Sequence, residues 1–352
     1  MSGGDDHGTG ADPFVSVMTT IQEPTPSTHR HAAQLQRTGS HLIVVGDQKG
    51  PPRFDLPRTR FVPLAEQLAL PFKLAPLLPT GHYVRKNLAY LLAFQAGADR
   101  IYETDDDNAP APDWIVRTPE VHAEPVATPG WFNVYHRFTH HVIWPRGFPL
   151  DKARDPVGPA SPPQPAARIL SPIQQELANV APDVDAVWRL TIASEPFTFD
   201  PARRTSVHLA PGAWCPFNSQ ATWWFPPAFP LMYLPGTCTF RMTDIWRSLV
   251  AQRCLWELNL GATFHPPQVE QERNAHDLMR DFADEVPGYL HNHTIARTLE
   301  SLSLRPGQAA IPDNLIRCHQ ALISAGFLKP HEMELLRAWI ADVESISEAR
   351  PA

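Results

Sequence analysis

The cysteines do not pair. Cys215, Cys238, Cys254 and Cys318 stand apart with no Cys-x-x-Cys spacing. That excludes a zinc ribbon or a disulfide framework read from spacing, and suggests free thiols in a reducing compartment. Basic charge is not in excess either: 30 Lys and Arg face 37 Asp and Glu, for a formal net charge of -7. A broad basic field of the kind that follows nucleic-acid phosphates is therefore missing, and nucleic acid is not expected as a partner. No apolar run reaches the length of a membrane span. The Gly- and Asp-rich stretch Met1 to Asp12 has neither the basic start nor the apolar middle of a secretion signal. A soluble cytoplasmic protein with a loose tail over residues 1–36 is the expectation. Internal repeats and a heptad seam are also absent. Proline, by contrast, is abundant. Many of the 39 prolines fall in loops such as Pro156 to Pro165, where they stiffen extended connections rather than build regular structure.

The 352 residues suffice for one large domain with a substantial core. His41-Leu42-Ile43-Val44-Val45-Gly46-Asp47 reads as a buried strand, a short β-branched run ending in a glycine and a carboxylate, as α/β strands end at a ligand crevice. Tyr83 to Gly97 reads as a helix with Leu88, Leu91 and Leu92 on one face and a glycine at its end. Ala98 to Thr104 follows as a second strand. Segments rich in tryptophan and proline, Trp131 to Pro149 and Trp214 to Pro230, read as loops and short strands around a crevice. A helix starts at Asp244 with Thr243 able to cap it, and runs toward Gly261. From about Asn274 the pattern is mostly helical, interrupted near Pro306 and Pro312. An apolar stripe of Ile311, Leu315, Ile316, Leu322 and Ile323 can cap the core or pair with a second copy. The expected organisation is α/β, with a catalytic domain over residues 37–290 and a helical extension over 291–352.

The chemistry concentrates at Asp105-Asp106-Asp107-Asn108, just past the second strand. Adjacent carboxylates repel one another and are costly to gather unless a cation offsets them. Mg²⁺ or Mn²⁺ accepts one or two carboxylates together with diphosphate oxygens and water, and the first and third residues of Asp-x-Asp can reach one ion. The run is not an EF-hand, which needs alternating oxygen ligands and a glycine. Taken alone, three aspartates are more often a solvated turn. Gly46-Asp47 at the preceding strand end and Arg85-Lys86-Asn87 at the helix start add weight, because backbone N–H groups and cations suit a diphosphate.

These segments resemble the STELLO-type glycosyltransferases: Val44-Val45-Gly46-Asp47-Gln48-Lys49, Tyr83-Val84-Arg85-Lys86-Asn87, and Ala98 through Asn108. Further segments fit the same pattern: Asn133-Val134-Tyr135, Trp144-Pro145-Arg146-Gly147, Asp183-Val184-Asp185 with Trp188-Arg189, Pro216 to Gln220, Phe240 to Arg247, and Gln271 to His276. The layout is more distantly similar to the reversibly glycosylated polypeptides, the UDP-arabinopyranose mutase family. The resemblance implies a GT-A fold, a Rossmann-like mixed sheet flanked by helices, acting as a hexosyl- or pentosyltransferase. It implies a nucleotide-sugar donor such as a UDP-sugar, Mn²⁺ or Mg²⁺, and a glycan, lipid or protein acceptor.

On that footing Gly46 and Asp47 are expected at the nucleoside, Arg85 and Lys86 at the diphosphate, and Asp106 nearer the sugar or ribose. Asp105 and Asp107 are expected at the metal, with His276 as third ligand and His265 competing for that place. Asn218, Ser219 and Gln220 are expected at sugar hydroxyls, and Arg273 as a phosphate clamp. Asp244 is the candidate general base. Among Trp131, Trp144, Trp214, Trp223 and Trp224, one or two are expected against a sugar ring and the others in the core. A nucleotide-sugar mutase and a non-catalytic assembly protein on the same fold are the alternative readings.

Overall fold

The structure, a computed structural model, describes residues 13–153, 164–192, 196–274 and 276–349. The chain opens with β1 (Val15–Thr19), α1 (Pro26–Arg37), β2 (His41–Val45), β3 (Thr59–Val62) and the short α2 (Leu64–Gln67). A 3-10 turn, Tyr83–Arg85, leads into α3 (Lys86–Gln95), β4 (Ile101–Thr104) and β5 (Asn108–Pro110). Next come β6 (Glu120–Val126), β7 (Gly130–Trp131), β8 (Ala167–Leu170) and β9 (Ile173–Asn179). They are followed by α4 (Ala186–Thr191), β10 (Ser206–Leu209), β11 (Ala213–Trp214) and β12 (Ala221–Trp224). The last part holds α5 (Thr243–Trp256), β13 (Ala262–Gln271), α6 (Leu278–Glu300), α7 (Ile311–Ser324) and α8 (Glu332–Glu348).

Eleven strands form one mixed sheet in the order β3-β2-β1-β4-β12-β9-β13-β10-β6-β8, with β5 paired to the far half of β13. The first four are parallel, so β2, β1 and β4 present their carboxyl ends along one edge. β12 is antiparallel to both of its neighbours, which returns β9 and then β13 to the direction of β4. This arrangement opens a crevice beyond the carboxyl ends of the parallel strands, where α/β sheets hold ligands.

Alternation along the central strands feeds two cores. Val17, Ile43 and Val45 pack with Leu88, Leu91 and Leu92 of α3 on one face. Met18, Leu42 and Val44 pack with Ala32 and Leu35 of α1, and with Tyr102, Trp114 and Trp223, on the other. Both faces are covered, so these strands read as nearly continuous apolar runs.

The expected tail over residues 1–36 does not hold from residue 13 onward. Val15–Thr19 is a central strand, and Pro26–Arg37 is a helix closed by a capping box between Thr25 and Thr28. Residues 1–12 and most of the Pro156 to Pro165 loop lie outside the described residues. The expected helices after Asn274 are present, yet a boundary at residue 291 would cut through α6. They are part of the main core: Trp339 of α8 lies against Tyr90 and Phe94 of α3 and donates from Nε1 to the Pro230 carbonyl at 2.9 Å. Asp342 accepts from the Lys73 and Leu74 backbone N–H groups. Among the described residues no helix is long and apolar enough to cross a membrane.

Candidate active site

A cleft of about 430 Å³ lies at that sheet edge, lined by Thr20 after β1, Asp47 after β2, Asp105 to Asp107 after β4, and Arg273 after β13. Strand order therefore sets the order of side chains along it. Asp47 after β2 and Thr20 after β1 come before the acidic run after β4, and Ser219 before β12 and Asp183 after β9, with Arg146 held on Asp183, come after it.

The acidic run is held from several sides. Lys86 Nζ donates to Asp105 Oδ1 at 2.7 Å and to the Ser219 carbonyl at 3.0 Å. Asp106 accepts from the Thr20 hydroxyl and from Asn274 Nδ2 at 3.3 Å, and its carbonyl accepts from Thr25. Asp107 accepts from Asn108 Nδ2 at 2.8 Å and Gln271 Nε2 at 2.9 Å. Burial pushes the Asp105 carboxyl up to about 6 against the pull of Lys86. Burial, joined by repulsion from Asp105, pushes Asp107 up to about 7. A single lysine does not offset these charges.

Beneath the run, Glu103 of β4 is fully buried and accepts from Arg247 Nη1 at 2.9 Å, from Trp224 Nε1 at 2.8 Å and from the Tyr90 hydroxyl. Such a buried pair tolerates desolvation only with its remaining hydrogen bonds in place, and here β4, β12, α3 and α5 are tied together by them.

The opposite wall is basic. Gly147, at φ +84°, takes the left-handed conformation that glycine tolerates and turns the chain beside Arg146. Arg146 is gripped by two carboxylates, Asp183 at 2.9 and 3.0 Å and Asp244 at 2.9 and 2.7 Å. Burial works to raise the Asp244 carboxyl, but Arg146 outweighs it and holds it at about 2. Asp183 is lowered by the same guanidinium, which likewise outweighs its burial. Arg189 of α4, Arg241 just before α5, and Arg273 complete the wall.

Several expected roles change. Asp244, expected as the general base, lines the cleft with both oxygens on the Arg146 guanidinium, which holds its carboxyl low and favours an anchoring part over proton acceptance. Arg85 is buried against Gln67 Oε1 at 2.5 Å and the Leu78 carbonyl at 3.1 Å, and is not part of the lining. Lys86, also buried, is engaged with Asp105 rather than left for a diphosphate. Gly46 lies behind the lining, with its carbonyl accepting from Gln67 Nε2 at 2.7 Å. Asn218 and Gln220 are buried behind Ser219; Asn218 Nδ2 supports Asp183 at 2.7 Å. His265 sits inside the sheet between Ser206 at 2.7 Å and Gln174 at 3.0 Å, away from the cleft.

His276 and Arg273 do line the cleft, but both are tied to Asp281, at 3.1 and 2.6 Å. Among the described residues no group of three His, Cys, Asp or Glu side chains is placed as a metal centre, so Asp105, Asp107 and His276 do not form the expected set. Asp47 lines the cleft, with Oδ2 accepting from the His82 N–H at 3.0 Å. The five tryptophans are core residues. The aromatic rings in the cleft are instead Tyr83 and Phe240, 4.8 Å apart edge to face, with His82 stacked on Tyr83. The Tyr83 hydroxyl is buried with no hydrogen-bond partner among the described residues, a state native folds usually satisfy with a ligand or water. The resembling segments contain Tyr83 and Phe240, but only the fold shows that they meet.

A large mixed sheet flanked by helices, with an acidic run delivered by a central parallel strand into an open cleft, is the GT-A-like arrangement of glycosyltransferases. Residues 241–351 match the STELLO glycosyltransferases. Over 339 residues, 89% of the chain, the protein is 25% identical to "Probable glycosyltransferase STELLO1" of Arabidopsis thaliana. It is 26% identical over 334 residues, again 89% of the chain, to "Probable glycosyltransferase STELLO2" of the same plant. The chain spans 42% of the length of each of these relatives. The STELLO resemblance read from the motifs is borne out.

Proposed function

We infer that the chain is a glycosyltransferase that takes a sugar from a nucleotide-sugar donor, a UDP-sugar, with Mn²⁺ or Mg²⁺ at Asp105 and Asp107. The observation that carries this reading is the pair of half-compensated carboxylates at the end of β4. Burial raises both, one lysine faces them, and they open on a cleft sized for a nucleotide. Those residues fit a hard divalent cation, with the donor's oxygens and water filling its remaining positions. The cation would neutralise charge on the departing nucleoside diphosphate.

The chain's own residues do the rest. Asp47 and Thr20 hold the nucleoside end, and Asp106 is fixed by Thr20 and Asn274 beside it. Lys86 keeps Asp105 aimed and ionised. Tyr83 and Phe240 offer apolar faces suited to a sugar ring and, from Tyr83, a hydroxyl in need of a partner. Asp183 and Asp244 fix Arg146 on the far wall.

The test is a melting-temperature screen of nucleoside diphosphates and nucleotide sugars with and without Mn²⁺, because a ligand that binds only the native state stabilises it by about 2.7 kcal/mol at 100 times its Kd. A rise with UDP or a UDP-sugar that needs the cation is expected. If no nucleotide raises the melting temperature with either Mn²⁺ or Mg²⁺, the reading is wrong.

A further inference from the structure

The basic wall is built more deliberately than a donor's diphosphate alone requires. Its four arginines come from four separate segments: the loop before Gly147, α4, the turn before α5, and the loop after β13. Two of them are fixed from behind by α6. Glu285 holds Arg241 at 2.7 Å, and Asp281, one turn earlier on the same helix, holds Arg273 at 2.6 Å. Neither acid lines the cleft although both arginines do; Glu285 accepts from Nε and Nη2 of Arg241, and Asp281 from Nη2 of Arg273. Glu285 also accepts from the Ala186 N–H at 2.7 Å, which couples α4, and so Arg189, to the same anchor. Like charges have been gathered here. Burial and then repulsion from Arg273 bring Arg189 down to about 10, and burial and then Arg241 lower Arg273. A cavity wall that brings guanidiniums together against their mutual repulsion, two of them held in place by acids of α6, suits a carboxylate or phosphate oxygen pair.

Strand order puts Asp183, after β9, and Arg273, after β13, beyond β4 as seen from Asp47 and Thr20, and Arg146 joins Asp183 to the Arg241 carbonyl. With the nucleoside at one end and the diphosphate at the acidic run, the wall faces what lies past the transferred sugar. The geometry points to a second anion subsite, formed by Arg241 and Arg273 with Arg189, that receives an oxyanion on the acceptor, so the acceptor is an acidic glycan: a uronic acid or a sugar phosphate. This deepens the transferase reading and rests on it for the order of subsites.

The experiment titrates inorganic phosphate, glucuronate and, as a neutral control, glucose into the full chain by calorimetry, at constant ionic strength, with and without saturating UDP and Mg²⁺. At least one of the two anions binds whether or not UDP is present, and glucose does not. Phosphate binding alone identifies a phosphorylated acceptor and glucuronate binding alone a uronic one. Arg241→Gln and Arg273→Gln each weaken the anion roughly tenfold or more, the scale of a charge-assisted hydrogen bond, and leave UDP binding within about twofold. Arg241→Lys and Arg273→Lys keep the charge but lose the fork; they give intermediate losses and stand in if a glutamine variant does not fold. Displacement of the anion by UDP would make the wall the diphosphate's own and overturn the inference, as would undiminished binding in the variants or binding of neither anion. If UDP binds in no arm, the transferase reading fails separately. The anion titration of the UDP-free chain still decides whether the wall is an oxyanion site.

Discussion

The two walls of the cleft solve opposite electrostatic problems with the same residue type. On one, burial raises Asp105 to about 6 against the pull of Lys86, and burial with repulsion from Asp105 raises Asp107 to about 7. On the other, Asp244 is brought to about 2 and Asp183 is lowered, because Arg146 outweighs the same burial. Aspartate is therefore not a role. How the cation is shared decides whether a buried carboxylate waits for a ligand or holds a scaffold in place. Arg146 gives two hydrogen bonds to each of its two carboxylates, with Arg247 and Arg241 adding to the pull on Asp244, whereas Lys86 reaches Asp105 with one. The acidic wall is left short of positive charge, which the proposed cation would supply. In the basic wall Arg146 is balanced by two carboxylates that line the cleft themselves, while Arg241 and Arg273 are balanced by Glu285 and Asp281, which do not.

The largest effect should come from breaking the support under the acidic wall. Arg247→Met leaves Glu103 charged, buried and short of its main partner, and truncating one member of such a pair costs about 3–5 kcal/mol. Urea unfolding reads it directly. A loss under about 1 kcal/mol would mean that Lys86, 3.9 Å from Glu103, already supplies the compensation. Next in size is Asp107→Asn, which keeps the shape and removes the charge. Apparent Mn²⁺ affinity in the presence of UDP should fall by more than the roughly 10–100-fold that even an outer-shell partner is worth. Asp244→Asn should leave Mn²⁺ affinity nearly unchanged, because its carboxylate belongs to Arg146. Equal losses in the two variants would erase the distinction between the walls.

The pH dependence separates them further. A carboxyl whose folded value is raised binds more protons in the native state than in the unfolded chain, so its contribution to stability declines as pH rises from about 4 to 7. In EDTA the melting temperature should therefore drop between pH 5 and pH 8 through Asp105 and Asp107, and Asp107→Asn should flatten the slope. Asp244 has the opposite sign. Its contribution is complete above about 4 and is lost as pH falls toward 2, so Asp244→Asn should alter only the acid limb. A profile that is flat above pH 5 in EDTA would show that the acidic wall is already compensated without a cation.

The acidic wall was legible in the sequence because its chemistry is local: a β-branched and aromatic run ends in three consecutive aspartates, and a strand end needs no tertiary knowledge to be placed. α3, α5 and the late helices were legible for the same reason. β1 was not, because Val15–Thr19 adjoins a Gly- and Asp-rich stretch that reads as tail. β13 was hidden by Pro266 and Pro267. The pairing with β9 shifts register between His265 and Val269, where prolines that cannot serve a regular ladder are accommodated. All four arginines of the basic wall stand in segments that carry the family resemblance, yet nothing in their spacing says that they meet. Arg146 and Arg241 are 95 residues apart and share a hydrogen bond only because the sheet and α5 bring their loops together. The ion pair that lowers Asp244 was hidden for the same reason, since its partner is 98 residues away.

The smallest expected effect comes from a third cluster that imitates the acidic wall at the surface. Glu270 and Glu272 are two residues apart, as Asp105 and Asp107 are, and face one cation, Arg30 of α1, at 3.3 and 3.0 Å. Here the side chains are 43–58% exposed, and water screens both the repulsion and the attraction. Arg30→Ala should change stability by under about 1 kcal/mol, and the change should shrink further as salt is raised. Nucleotide and Mn²⁺ binding should stay within about twofold, although the Glu272 N–H donates to the Asp107 carbonyl at 2.9 Å, because that bond belongs to the backbone. A large loss of Mn²⁺ affinity in Arg30→Ala would mean that α1 positions the acidic wall through this exposed pair. Desolvation would then not be what separates a carboxylate pair that calls for a metal from one that does not.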